Sequence, residues 1–474
     1  MKAQQFKRLG TLIILCQVCL LIFTFVATCK PKKENPTEIT PGSIMDSIYC
    51  KNDKEQYYAV YIPSSYDDSE SWPIIYFFEP AARAKLPLRL YKDLAEKYGL
   101  LLACSYNSRN GPIVINEKAY QNMSEDVNIR LKLDAKRQFT SGFSGGGRFS
   151  QLVAQNDSSI TGVIAVAGPR GDGALFDAQT YATPYVGIVG NQDMNYLEHT
   201  RFQQTLDELG VKNELIIYHA AHQWPPKEIY DQAIQWHLGL LEYNIKKNQS
   251  TKLNSYMNLR TQYLDTTQAM SNVEKQKSYQ AILKNFKDIN NSIINEKILA
   301  IESEKKLDKA IKQEEKILQN EEEEQIALVK ALNEFRSYFF RPGFDPDSGQ
   351  YSLRWWKSEI GQISNKVSLD NSKGLSAARL IDFLRGQVHN QVQGAKAFNN
   401  VELILSMHEL NLYLYPNSIW FLWNQAIYCA QYNQKDKAIS YLKKAKKIND
   451  ELLLKIQQYP MFNGLRDQYT YLYE

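Results

Sequence analysis

The fold turns on one stretch, Gln138-Phe139-Thr140-Ser141-Gly142-Phe143-Ser144-Gly145-Gly146-Gly147-Arg148-Phe149. Gln138 to Phe143 has the length and residue types of a strand, and Arg148 to Gln155 has helical spacing. Between them a serine stands among glycines. A strand that passes straight into a helix brings the two backbones close together, which Gly142 and Gly146 allow. The serine is then projected from the apex of the turn.

Outward from this turn, short β-rich runs alternate with amphipathic stretches. Strands are expected at Tyr57 to Ile62, Ile74 to Phe78, Leu100 to Ser105, Gln138 to Phe143, Gly162 to Val166, Tyr185 to Val189 and Glu214 to Tyr218. Helices are expected near Leu86 to Tyr98, Ala119 to Leu133, Arg148 to Gln155, Tyr196 to Leu209 and Lys227 to Tyr243. This alternation predicts an α/β domain with a mostly parallel sheet flanked by helices.

A serine hydroxyl attacks at neutral pH only beside a base, and the base must be oriented by an acid. The strand ending at Val189 leads into Gly190-Asn191-Gln192-Asp193, and the strand ending at Tyr218 leads into His219-Ala220-Ala221-His222-Gln223-Trp224-Pro225-Pro226. Ser144, Asp193 and His222 are therefore the candidate nucleophile, acid and base. Asp172, after the preceding strand, is the alternative acid. His219 is the alternative base, its strand-end position being better suited to packing. Glu79 and Arg83 form a surface pair or line a pocket. Trp224 is expected to pack the histidine loop, while His199, His237, His389 and His408 read as ordinary helix histidines.

Residues 55 to 243 resemble the α/β-hydrolase superfamily, close to secreted esterases related to polyhydroxybutyrate depolymerases and feruloyl esterases. The resemblance rests on Tyr61-Ile62-Pro63 followed by Tyr66, on Gly142 to Gly147, and on His222 before Trp224-Pro225-Pro226. It implies ester hydrolysis by a Ser144-Asp193-His222 triad through an acyl-enzyme, with no cofactor and no metal. The substrate would be a small-molecule or polysaccharide-linked ester. A serine peptidase of the same fold is one alternative. The other is a non-catalytic surface lipoprotein that binds a partner. Relatives place a His-Gly motif after the strand that here spans Ile74 to Phe78, where backbone N–H groups build half of the oxyanion hole. Here the loop reads Glu79-Pro80-Ala81-Ala82-Arg83, and Pro80 has no N–H. The expected donors are the amides of Gly145 and of Ala81 or Ala82.

Residues 1–29 read as an export signal: Lys2, Lys7 and Arg8 precede an uncharged apolar run, Leu12 to Ala27. Its end, Val26-Ala27-Thr28-Cys29, resembles the lipobox of bacterial lipoproteins, with Thr28 departing from the usual small residue. Lipidation at Cys29, anchoring to a membrane and a periplasmic or cell-surface location are what this implies. Residues 30–48 are expected to be a tether and 49–248 the α/β domain. A long helical or coiled-coil-like segment is expected over 249–340, its Glu/Lys-rich part a solvated face. A helical domain is expected over 341–474, beyond a break at Pro342-Gly343-Phe344-Asp345-Pro346. Within it, Pro416 to Asp450 resembles one tetratricopeptide repeat, a module for packing or for binding a protein partner.

With 474 residues the chain is long enough for two or three domains, and its net charge of +4 marks no nucleic-acid-binding surface. Beyond residue 29 only Cys50, Cys104 and Cys429 remain. A Cys50 to Cys104 bridge is left open by their spacing, and no cysteine-histidine cluster has metal-ligand spacing.

Overall fold

The computed structural model describes residues 39–169, 177, 180–287, 292–341, 343, 345–397, 399–449 and 462. The export signal, Cys29, Asp172 and part of the expected break at 342–346 lie outside them. Among the described residues there are eight strands in mostly parallel sheet flanked by helices, four described with each of two units below, and then a region made of helices alone. This is the α/β class predicted from the alternation. No described helix is long and apolar enough to cross a membrane. The chain divides into two compact units, Met1–Ala135 and Lys136–Glu474.

In the first unit the strands β1 (Ser43–Tyr49), β2 (Tyr57–Ile62), β3 (Trp72–Phe78) and β4 (Leu101–Ser105) are ordered β1-β2-β4-β3. The β1-β2 and β2-β4 pairs are antiparallel and the β3-β4 pair is parallel. Every residue of β3 and β4 is buried, as a sheet covered on both faces requires. Helices α1 (Lys85–Tyr98) and α2 (Ile113–Arg130) complete the unit. Strand β1 corrects the expected tether over 30–48: Ser43 to Tyr49 pair along β2 with a register shift between Met45 and Ile48. Its side chains are mostly half-buried, so it lacks the apolar signature of the inner strands. Cys50 and Cys104 are buried free thiols, so they form no bridge.

In the second unit β5 (Leu133–Phe143), β6 (Gly162–Val166), β7 (Tyr185–Gly190) and β8 (Asn213–Tyr218) run parallel in that order. Helices α3 (Gly145–Asn156), α4 (Tyr196–Glu208) and α5 (Lys227–Lys246) connect and follow them. Parallel neighbours need crossovers, so every strand in this half ends at the same edge of the sheet, where the loops carrying Ser144, Asp193 and His222 emerge.

Among the described residues, the region expected as one long segment over 249–340 holds four α-helices: α6 (Thr251–Thr266), α7 (Asn272–Asn285), α8 (Ser292–Glu302) and α9 (Leu307–Tyr338). The first pair belongs with the sheet. Arg260 of α6 is fully buried and pairs with Glu214 of β8 at 3.0 Å, with further bonds to Gln232 and the Leu215 carbonyl. Helix α9 is no free coiled coil. Its Leu328, Ala331, Leu332 and Phe335 join one core with α10 (Leu353–Lys366), α11 (Ser372–Ala397) and α12 (Val401–Leu414). Beyond these, α13 (Ile419–Gln431) and α14 (Lys435–Lys446) pack through Leu422, Ala426, Ala438, Leu442 and Ala445. The small side chains permit that approach, within the stretch whose sequence resembles a tetratricopeptide repeat.

Removing one partner of a buried ion pair leaves the other charge without compensation, at a cost of about 3–5 kcal/mol. Arg260→Met should lower the urea midpoint at pH 7 accordingly. Arg260→Met with Glu214→Leu should recover much of the loss. A single variant as stable as wild type would show that the pair holds nothing together.

Candidate active site

Ser144 occupies the turn between β5 and α3 with φ 55° and ψ −121°, a conformation that non-glycine residues adopt only under strain of about 1–3 kcal/mol. Backbone bonds on both sides hold it. Its N–H donates to the Val166 carbonyl at 2.8 Å, and its own carbonyl accepts from Arg148 N–H at 3.2 Å. A Cβ on Gly142 would lie 2.2 Å from the Gly146 carbonyl oxygen, so the strand and helix meet as closely as the sequence implied. The first N–H groups of α3, Gly145 among them, have no carbonyl within their own helix and lie at its positive end.

Asp193 follows β7 and is completely buried, while His222 follows β8 and is partly exposed. His222 Nδ1 lies 3.0 Å from each carboxylate oxygen of Asp193. A carboxylate only accepts, so the imidazole proton sits on Nδ1 and Nε2 of the neutral ring is left as the acceptor. Asp193 Oδ1 also accepts from Asn195 N–H at 2.8 Å. The two loops are joined through their backbones, with Gln192 N–H donating to the Ala220 carbonyl at 3.0 Å. That contact requires Gly190, where a Cβ would stand 2.1 Å from the Ala220 oxygen.

The ring of Phe143, next in the chain to Ser144, lies 4.6 Å from the His222 ring and 5.5 Å from that of Trp224. The dyad is thereby seated beside the elbow, and Trp224 packs the histidine loop as expected. His219 is not packed as its strand-end position suggested; it is exposed and meets Gln192 Nε2 at 3.4 Å. Arg148 ties α3 to α4 through both oxygens of Glu198.

One expected element is overturned. The Ala81 N–H donates to Glu79 Oε2 at 2.8 Å, and the Ala82 N–H donates to the Glu79 carbonyl at 3.0 Å. Arg83 N–H takes the same Oε2 at 3.0 Å. Glu79 is fully buried and needs these donors, so neither Ala81 nor Ala82 offers its amide to an oxyanion here. Glu79 and Arg83 are thus an ion pair with one buried end rather than a surface pair.

Two participants carried no signal in the sequence. Arg379 and Asp382 of α11 grip the acid loop: Arg379 Nη1 donates to the Asn191 carbonyl at 3.0 Å, and Met194 N–H donates to Asp382 Oδ2 at 3.1 Å. Asp193, His222 and Asp382 bring ligand-type atoms within 4.8 Å of one another. Hydrogen bonding already engages both oxygens of Asp193.

The chain matches no family model, and no curated protein matches it. It is similar to solved structures of esterases and serine hydrolases. A ferulic acid esterase is 15% identical, over 40% of this chain and 94% of that one, with a TM-score of 0.33. The S-formylglutathione hydrolase FrmB of Staphylococcus aureus is 14% identical, over 39% and 90%, with a TM-score of 0.31. FphF, a fluorophosphonate-binding serine hydrolase of the same organism, is 13% identical, over 42% and 99%, with a TM-score of 0.34.

Burial pulls the His222 pKa down, but the hydrogen bond and charge of Asp193, followed by the charge of Asp382, raise it above 6.5. A histidine raised in the folded state adds stability that is complete below about pH 6.5 and lost as pH rises through the folded value. Asp193→Asn should therefore lower the His222 pKa in an NMR titration and flatten the decline in stability above pH 6.5. An unchanged titration would mean that the carboxylate does not act on the ring.

Proposed function

We propose that this protein is a serine hydrolase that cleaves carboxylic esters through an acyl-enzyme on Ser144. The observation that carries the reading is the buried Asp193 bound to His222 Nδ1, seated by Phe143 against a strained serine turn. His222 Nε2 takes the hydroxyl proton as Ser144 Oγ bonds to the ester carbonyl carbon. The resulting oxyanion is met by the Gly145 N–H at the helix start. The tetrahedral adduct collapses as His222 returns the proton to the departing alcohol, leaving the acyl-serine. Water, deprotonated by the same nitrogen, then releases the acid and restores Ser144. This chemistry uses no cofactor.

Small-molecule or polysaccharide-linked esters are the substrate class proposed from the sequence resemblance. Export, lipidation at Cys29 and attachment to a bacterial membrane belong to the same reading and rest on residues 1–29. The helical region, α13 and α14 included, is proposed to bind a protein partner.

A second reading, a non-catalytic protein that binds a partner, is favoured by one observation: Glu79 holds the amides of Ala81 and Ala82. Loss of a single oxyanion donor costs about 10²–10³-fold in rate. A burst assay with p-nitrophenyl acetate and butyrate separates the two. Wild type should show a burst and turnover, and Ser144→Ala should lose about 10⁴-fold or more in kcat. A folded wild type without turnover on either ester would favour the binding protein.

A further inference from the structure

Helix α11 meets the acid loop at three points. Arg379 is buried between Glu321, whose two carboxylate oxygens accept its N–H groups at 2.6–3.1 Å, and the Asn191 carbonyl. Its guanidinium also covers the Tyr196 ring at 4.3 Å. One turn on, Asp382 accepts the Met194 N–H, the peptide immediately after Asp193. Another turn on, Gly386 leaves room for Met194, whose sulfur would be 2.8 Å from a Cβ there. The acid loop is therefore fixed from the helical side as well as by its own backbone.

Asp382 brings a second carboxylate to the dyad. We propose that Asp382 is a positioning residue for His222, fixing the acid loop through Met194 N–H and lending its negative charge to the imidazolium that forms when the serine proton is taken. This rests on the reading of His222 as the general base.

The groups that face the imidazole divide by sign. Asp193 and Asp382 favour its charged form, and Arg148 of α3 opposes it. Arg385 faces Asp382 from the same helix, and its guanidinium is also engaged by the Leu414 carbonyl and the Tyr415 ring. His199 of α4 is buried and held in its neutral form, first by burial and then by Arg148 and His222, so it adds no charge. Asp382 itself is pushed up by burial and by Asp193, so its charge is given up earlier in acid than that of an ordinary aspartate.

Asp382→Asn separates position from charge. The amide oxygen can still accept Met194 N–H, while the charge is gone. At a separation of a few ångströms in a partly exposed site, one charge is worth on the order of half a pKa unit or more. The His222 ring, identified in an NMR titration by its loss in His222→Gln, should therefore titrate about half a unit lower in Asp382→Asn. The acid limb of kcat/KM on p-nitrophenyl acetate should move to lower pH by the same amount, and Asp382→Glu should return it toward wild type. A His222 titration unmoved within about 0.1 unit overturns the proposal, even if activity falls. A protein without turnover whose His222 still titrates lower in Asp382→Asn would refute the base reading while supporting the coupling.

Discussion

The hydrogen bond between Asp193 and His222 is the interaction on which the site depends. A fully buried carboxylate is tolerable only when its oxygens are satisfied, and here an imidazole N–H and a backbone N–H satisfy them. That requirement fixes the ends of β7 and β8 relative to each other. It also explains Gly190, the residue that lets the two loops touch through their backbones. The imidazole is consequently presented in one tautomer, with its other nitrogen directed away from the acid.

The helical region enters this arrangement through charge and hydrogen bonds as well as apolar packing. The Arg379–Glu321 pair is buried on both sides and ends on a loop carbonyl. Buried pairs of this kind contribute little net stability, yet they are intolerant of alternative geometries. Their effect here is to specify where α11 lies against the loop, and with it where Asp382 stands. The Glu/Lys-rich helix α9 shows the same division: most of its charges are solvated, whereas Glu321 is turned inward to meet Arg379.

Much of the α/β part was legible from the chain. The inner strands announce themselves as short apolar runs because both faces of the sheet are covered, and Asp193 and His222, chosen by their position at strand ends, lie within hydrogen-bond distance of each other. Strand β1 was missed because an edge strand with half-buried Ser, Asp and Tyr resembles a polar linker. The state of Ala81 and Ala82 was not legible either, since their amides are claimed by the side chain and carbonyl of a neighbour, Glu79, and the sequence shows only that Pro80 lacks an N–H. Arg379 and Asp382 meet loop residues 188 positions away, a distance across which a single sequence carries no pairing signal.

The central claim is that the hydroxyl of Ser144 is activated by His222. A fluorophosphonate reagent, which reacts with activated serines, tests it most directly when the labelled residue is identified by peptide mass spectrometry. One adduct per chain on the peptide containing Ser144, absent from a folded His222→Gln variant, is the predicted result. A folded wild-type protein that takes no label, or takes it equally without His222, would contradict the account.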